Sequence, residues 1–318
     1  MKAPITCSIA AALMFSSTAA EPAYADDSTA ALAAGGIVLT KSSTIAMRSE
    51  NLYISAGAVR AQFKFVNTAA TDITVTVAFP LPDVTTGPME QNANYPVDSA
   101  TNFLGFSTLV GGRPVKMQIE QKALQNGHDY TALLQKMGVP LAPQRDATDA
   151  VLKALPRAEQ DQLVQLGLAD DANNPPDTPK DAKLDMYATW TLKTTFYWTQ
   201  TFPAGREVDI EQNYQPSVGS SVPRPFDANE DAEYCFDGNV PKGNYEPNFI
   251  DYVLTSGGNW KGPIGDFTMT IDKGSVHNVV SFCGDGVRQT SPTTFQVHHT
   301  NFTPTRDVHI LLFEPIPQ

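Results

Sequence analysis

Positive charge is scarce in this chain. Lys and Arg number 22 against 34 Asp and Glu, a formal net charge of -12. No segment gathers basic side chains into a patch that could displace the counterions of a nucleic acid or hold an anionic membrane surface. No nucleic-acid partner is therefore expected. The simplest reading of the acidity is solubility, with cation binding as the minority one. Cysteine is also rare, with 3 residues, which excludes a disulfide-dense scaffold. Beyond residue 25 no window is apolar enough for a transmembrane helix. The common catalytic signatures are missing too: there is no GxSxG, HExxH, P-loop or dinucleotide fingerprint. No cofactor is expected. Ser and Asp are abundant, so a hydrolytic triad assembled from distant segments stays open.

What the chain does have begins with a leader. Lys2 supplies a positive start, Ile5–Phe15 an apolar run, and Ala23-Tyr24-Ala25 a small-residue cleavage site. Residues 1–25 read as a signal peptide, with the mature chain beginning near Asp26 and residing in the periplasm or outside the cell. Cys7 leaves with the leader. Cys235 and Cys283 remain, and in an exported chain such a pair most simply forms one disulfide. Free thiols or a metal site are the alternatives, although two thiols are too few for structural zinc.

The strongest pattern lies in Thr194–Pro216. Phe196, Trp198 and Phe202 alternate with Tyr197, Thr199 and Thr201; Val208, Ile210 and Tyr214 alternate with acidic and amide residues. Such alternation marks two half-buried strands. Pro203-Ala204-Gly205 between them has the residues of a tight reversal, so a hairpin is expected. Val59–Val66 and Ile73–Phe79 alternate in the same way, separated by a turn at Asn67–Asp72. Phe103–Val110 and Pro114–Ile119 flank Gly111-Gly112, a second hairpin signal.

Residues 129–168 change character. Asp129 can cap a helix over Tyr130–Met137 that Gly138 stops, and two more short helices follow, the last opening at Pro156 and ending at Gly167. Asp170–Lys183 reads as a polar, Pro-rich loop. Val218–Asp231 reads as a linker. Beyond it, short strands separated by turn residues suggest a second β-sandwich. The expected fold is mainly β: two β-sandwich domains, 26–219 and 220–318, with a short helical insertion at about 129–168 in the first.

Two resemblances add to this. Phe63-Lys64-Phe65-Val66-Asn67, then Phe79-Pro80-Leu81-Pro82, then the late reversal ending in Tyr214, resemble the vault/inter-α-trypsin (VIT) type of domain, which implies a β-sandwich over about 26–219. The segments FPLPD, NFLGF, TTFYWTQTFPAG, YVLTSGGNWKGPIGDF, VSFCGDGV and NFTPTRDVHILLF, in that order, resemble an exported bacterial family catalogued as domain of unknown function forty-four twenty-four. That likeness brings no activity with it. VIT domains often precede an adhesion module whose metal site uses DxSxS, a pattern absent here.

Candidate site residues are few. Tyr197, Trp260 and Tyr187 could line a surface for a ligand or partner, with packing as the bland reading for Trp260. Asp227, Asn229 and Asp231 resemble the start of a calcium loop, but Ala232 and Gly238 occupy the positions that need Gly and Glu, so an acidic linker is preferred and no metal site is expected. His298 or His299 could join His309 and Asp307 around a metal if their strands are neighbours; solvent-facing histidines are the commoner outcome. The functional reading is a non-catalytic envelope protein that binds a macromolecular partner or a ligand, of identity unknown. The alternative is a periplasmic hydrolase with a site under the helical insertion.

Overall fold

A computed structural model describes residues 28–33, 36–85, 93–172, 184–221, 226, 228–239, 241 and 243–316. The expected leader, most of the Pro-rich loop after Asp170 and candidate Asp227 lie outside these residues.

The fold is mainly β. One large sheet has eight strands, running from Arg288–Gln289 through Thr294–Phe302, Ile264–Asp272, Ile45–Ser55, Ala58–Asn67, Glu207–Tyr214 and Ser107–Val110 to Arg113–Pro114. A six-stranded sheet is centred on Ile73–Pro80 and Thr191–Phe202. A four-stranded sheet is centred on Tyr245–Tyr252 and Val308–Pro315. The two smaller sheets contribute to one apolar core with the large sheet. Phe63, Phe65 and Ile210 come from the large sheet, Phe79, Phe196 and Phe202 from the six-stranded one, and Ile250 and Ile310 from the four-stranded one. Burying each such side chain contributes about 2 kcal/mol, so this shared interior is the dominant stabilising feature.

Ile264–Asp272 pairs in parallel with Ile45–Ser55, Met269 opposite Leu52. The large sheet therefore runs straight through the division expected at 219/220. Gly265 lets the backbones meet: a Cβ there would lie 2.5 Å from the Arg48 carbonyl oxygen.

The alternation of Thr194–Pro216 is as expected, but the hairpin is not. Thr191–Phe202 pairs with Ile73–Pro80 and Gln118–Gln125, whereas Glu207–Tyr214 pairs with Ala58–Asn67 and Ser107–Val110. Pro203–Arg206 is an arch that carries the chain from one layer to the other. Asn67–Asp72 is a second arch, linking strands of the same two sheets. The arches are fastened together. Asn67, fully buried, donates through Nδ2 to the carbonyl oxygens of Thr71 and Phe202, both at 2.8 Å. Its Oδ1 accepts from the Ala69 N–H at 2.9 Å. The Gly205 N–H donates to the Asn67 carbonyl, and Gly205 takes the positive φ of 64° that the reversal needs.

The insertion forms three helices, Thr131–Lys136, Asp146–Ala154 and Arg157–Gln165. Asp129 Oδ1 accepts from the Thr131 N–H at 2.9 Å, satisfying one open helix donor. Gly138 and Gly167 follow the first and third helices with φ of 71° and 68°. These elements close over an apolar cluster of their own around Leu134, Leu152, Leu163 and Trp190. Trp190 Nε1 donates to the Leu141 carbonyl at 2.8 Å.

Candidate functional site

A cleft of about 340 Å³ opens where the first half of the chain meets the second. One wall follows the strand Ile73–Pro80 and the residues after it. Pro82 cannot donate and interrupts the regular pairing. Val84 then returns to bridge Leu192 through backbone hydrogen bonds of 3.0 and 2.8 Å, so that Pro82, Asp83 and Val84 line the cleft from the margin of the six-stranded sheet. Phe103 and Leu104 back this wall and are buried, at 1% and 3% exposure. They belong to NFLGF, expected as strand, but the strand there begins only at Ser107. Asn102 explains the late start, because its side chain bonds the Phe106 N–H and carbonyl and holds a loop. The opposite wall comes from the second half: Phe249 and Asp251 on the strand Tyr245–Tyr252, and Glu230, Glu233 and Tyr234 on the helix Ala228–Tyr234.

That helix corrects the reading of an acidic linker. Asn229 and Asp231 lie on it, in helical backbone rather than in a calcium-binding loop. Among the described residues no three His, Cys, Asp or Glu side chains are placed to hold a metal ion. The helix is pinned from behind. Cys235 and Cys283 form a disulfide. Ser281 Oγ donates to the Tyr234 and Cys235 carbonyls at 3.0 and 3.1 Å. Arg306 Nη2 donates to the Glu233 carbonyl at 3.1 Å. The Tyr234 ring packs on Phe249 with centroids 5.5 Å apart.

Two cations stand behind the acidic walls. Lys193 Nζ lies 2.7 Å from Asp83 Oδ2. Burial pushes Asp83 above the usual carboxylate value and Lys193 only partly opposes it, even though 38% of the side chain stays exposed. His309 Nδ1 lies 2.7 Å from Asp251 Oδ1 and 3.3 Å from Glu233 Oε1. Burial alone would lower the His309 pKa, but the hydrogen bond to Asp251 and the charges of Asp251, Glu233 and Asp307 outweigh it and hold it above 6.5.

The other sequence candidates go elsewhere. Trp260 is 3% exposed and stacks into the core 4.5 Å from the Phe65 ring centroid, so it offers no surface to a ligand. Tyr197 sits half-buried on the outer side of the six-stranded sheet and donates to Gln118 Oε1 at 3.0 Å. Tyr187, on the short strand Met186–Ala188, reaches Asp170 Oδ2 at 3.4 Å. None of the three lines the cleft. The histidines are not neighbours: His298 and His299 lie in the large sheet and His309 in the four-stranded one. His298 meets Asp266 at 3.1 Å and His299 stacks on Phe302. Asp307 accepts from the Leu254 and Thr255 N–H groups and so is spent on a turn. Sequence reasoning misses Asp83 and Asp251, whereas Glu230 and Glu233 belong to the acidic segment from Asp227 to Glu233 that resembles the start of a calcium loop. The only other signal for this region was that FPLPD and NFLGF are uncommon segments.

Comparison with curated proteins finds no match. Among solved structures, a candidate nutrient-binding protein from Legionella pneumophila is similar at 15% identity and a TM-score of 0.42, over 86% of this chain and 68% of that one. An M1 zinc metallopeptidase mutant from Deinococcus radiodurans, bound to a Tyr-Ser-Ala substrate, is similar at 7% identity and a TM-score of 0.23, over 86% of this chain and 43% of that one. The chain thus spans less than half the length of that peptidase, and at these scores neither likeness bears on function. Residues 25–311 match the family model described as Domain of unknown function (DUF4424), and the chain belongs to that family.

Proposed function

We propose that this is an exported, non-catalytic binding protein of the cell envelope that holds a ligand in the cleft between its two halves. The observation that carries the reading is the cleft itself. It has a volume in the range of small-molecule sites, about 300 to 1,000 Å³, and its walls are tied down. Asn102 holds the Phe103–Phe106 loop, and the disulfide, Ser281 and Arg306 hold the helix. A pre-formed cavity with apolar rings and a few fixed polar groups loses little entropy on binding.

In the same reading, residues 1–25 are removed on export to the periplasm or beyond. Residues 26–219 and 220–318 are two sandwich units that share the large sheet, and the first is VIT-like. The F-x-N of that resemblance gains a physical role from the arch-fastening bonds of Asn67. The alternative, a hydrolase site beneath the insertion, has less support, because the three helices pack on Leu134, Leu152 and Trp190 instead of covering a polar cleft.

Native mass spectrometry of protein recovered from the envelope fraction of its own source tests the reading, with the Ser217→Trp variant as control. Ser217 lines the cleft outside any strand, so an indole there fills the space without breaking a ladder. A bound mass present in the natural protein and lost in the variant is expected. No bound mass, together with no thermal stabilisation by any fraction of the envelope extract, would refute it.

A further inference from the structure

We infer that the Cys235–Cys283 bond is a redox-sensitive latch on the helix Ala228–Tyr234, opened and closed by exchange with a dithiol. The bond ties the residue after that helix to the residue after the strand Val279–Phe282 of the four-stranded sheet. Cys235 is exposed and Cys283 half-buried, so an incoming thiolate can reach the pair. Tyr234 is the one buried residue of the helix. The helix therefore has little apolar grip of its own, and the covalent tie carries a large share of its docking. The latch is independent of whatever the cleft holds.

The surroundings of the bond suit both of its states. Arg306 Nη1 lies 3.9 Å from Cys235 Sγ, and a guanidinium beside a sulfur stabilises its thiolate and makes it the better leaving group. Cys283 Sγ lies 3.4 Å from the Glu233 carbonyl oxygen and 3.6 Å from that of Ala232, acceptors that a thiol can use and a disulfide cannot. Cys235 holds a φ of 48°, in the left-handed region that a residue with a Cβ rarely adopts, and breaking the bond frees its backbone to leave that region. A thiolate of the dithiol attacks Cys283 Sγ, the S–S bond breaks, and Cys235 leaves as a thiolate beside Arg306. The second thiol of the reductant, deprotonated, then attacks the reductant sulfur of the mixed disulfide and releases Cys283, which takes up a proton and faces the Glu233 carbonyl as a donor. The protein gains two electrons, the dithiol loses two and becomes a disulfide, and the remaining proton goes to solvent. The reverse sequence closes the latch.

Reduction of the folded protein tests the inference. The full chain is incubated with dithiothreitol in the absence of denaturant, quenched with iodoacetamide and weighed by mass spectrometry, and hydrogen exchange follows the helix. Reduction is expected to outrun global unfolding measured on the same protein. Amide exchange in Ala228–Tyr234 should rise at least about tenfold on reduction, with the strands Tyr245–Tyr252 and Val308–Pro315 unchanged. In the reduced protein, limiting iodoacetamide at about pH 6 should label Cys235 before Cys283. Arg306→Gln should slow reduction about threefold and abolish that order, and Arg306→Lys, which keeps the charge, should restore both. Reduction no faster than global unfolding would overturn the inference, because the bond would then open only with the fold. So would unchanged exchange in the helix, or an Arg306→Gln variant that matches the natural protein in rate and labelling order. If Arg306→Gln shows a lowered melting temperature, labelling order in the natural protein decides: Cys283 first, or both cysteines together, overturns the inference.

Discussion

Asn67 offers the sharpest test of how the two layers are held. It is fully buried and satisfies three partners at 2.8, 2.8 and 2.9 Å. Each such bond contributes about 1 kcal/mol net, and a buried acceptor left without a donor costs about 1 to 3 kcal/mol. Asn67→Ala removes all three bonds and leaves the Phe202 carbonyl without its side-chain donor beside a fully buried ring. The expected loss is about 3 to 4 kcal/mol, a large share of the roughly 5 to 15 kcal/mol that holds a typical domain. Asn67→Asp keeps the acceptor for Ala69 but turns an oxygen toward two carbonyl oxygens, so it should lose at least as much. Asp72→Ala is the companion. It removes only the exposed bond from the Ala204 N–H to Asp72 Oδ1 and should lose no more than about 1 kcal/mol. Urea unfolding followed by tryptophan fluorescence reads all three, with Trp198 and Trp260 both in the core. At an m-value near 2 kcal/mol/M, Asn67→Ala moves the midpoint down by about 1.5 to 2 M. Losses below about 1 kcal/mol for both Asn67 variants would refute the view that the arches are fastened through this side chain.

Trp260→Ala should lose about 3 to 5 kcal/mol by emptying a ring-sized space against Phe65 and Phe202; a loss under 1 kcal/mol in the same urea experiment would return Trp260 to the surface. Replacing Cys235 and Cys283 with Ser opens a loop of 48 residues and should cost about 4 kcal/mol by chain entropy, measured by calorimetry. His309 predicts a pH dependence. Its folded pKa lies above the ordinary 6.5, so its contribution to stability is fully present below about pH 6.5 and is lost as pH rises through the folded value. Melting temperature between pH 5 and 9 should fall across that window in the natural protein, and His309→Gln should remove that component; an unchanged profile would refute the pairing with Asp251 and Glu233.

The local rules of the chain were legible from residue order alone. Alternation placed Phe196, Trp198, Phe202 and Ile210 in the interior, and there they are. Asp129, Gly138 and Gly167 bounded the helices because capping is a matter of neighbours along the chain. Two lone cysteines beyond an expected leader pointed to the bond they form. What alternation cannot carry is the identity of the partner strand. Period two says which face is dry, and it says so equally for a hairpin and for an arch between layers. Thr191–Phe202 and Glu207–Tyr214 fit either, and only long-range pairing sent them to different sheets. The parallel register of Ile264–Asp272 on Ile45–Ser55 is of the same kind, since its partners are more than two hundred residues apart. The cleft depends on that pairing. Asp83 and Asp251 lie in separate halves of the chain, each ordinary in its own surroundings. They face one space only because three sheets share one core, and a charge field is set by distances through space that residue order does not encode.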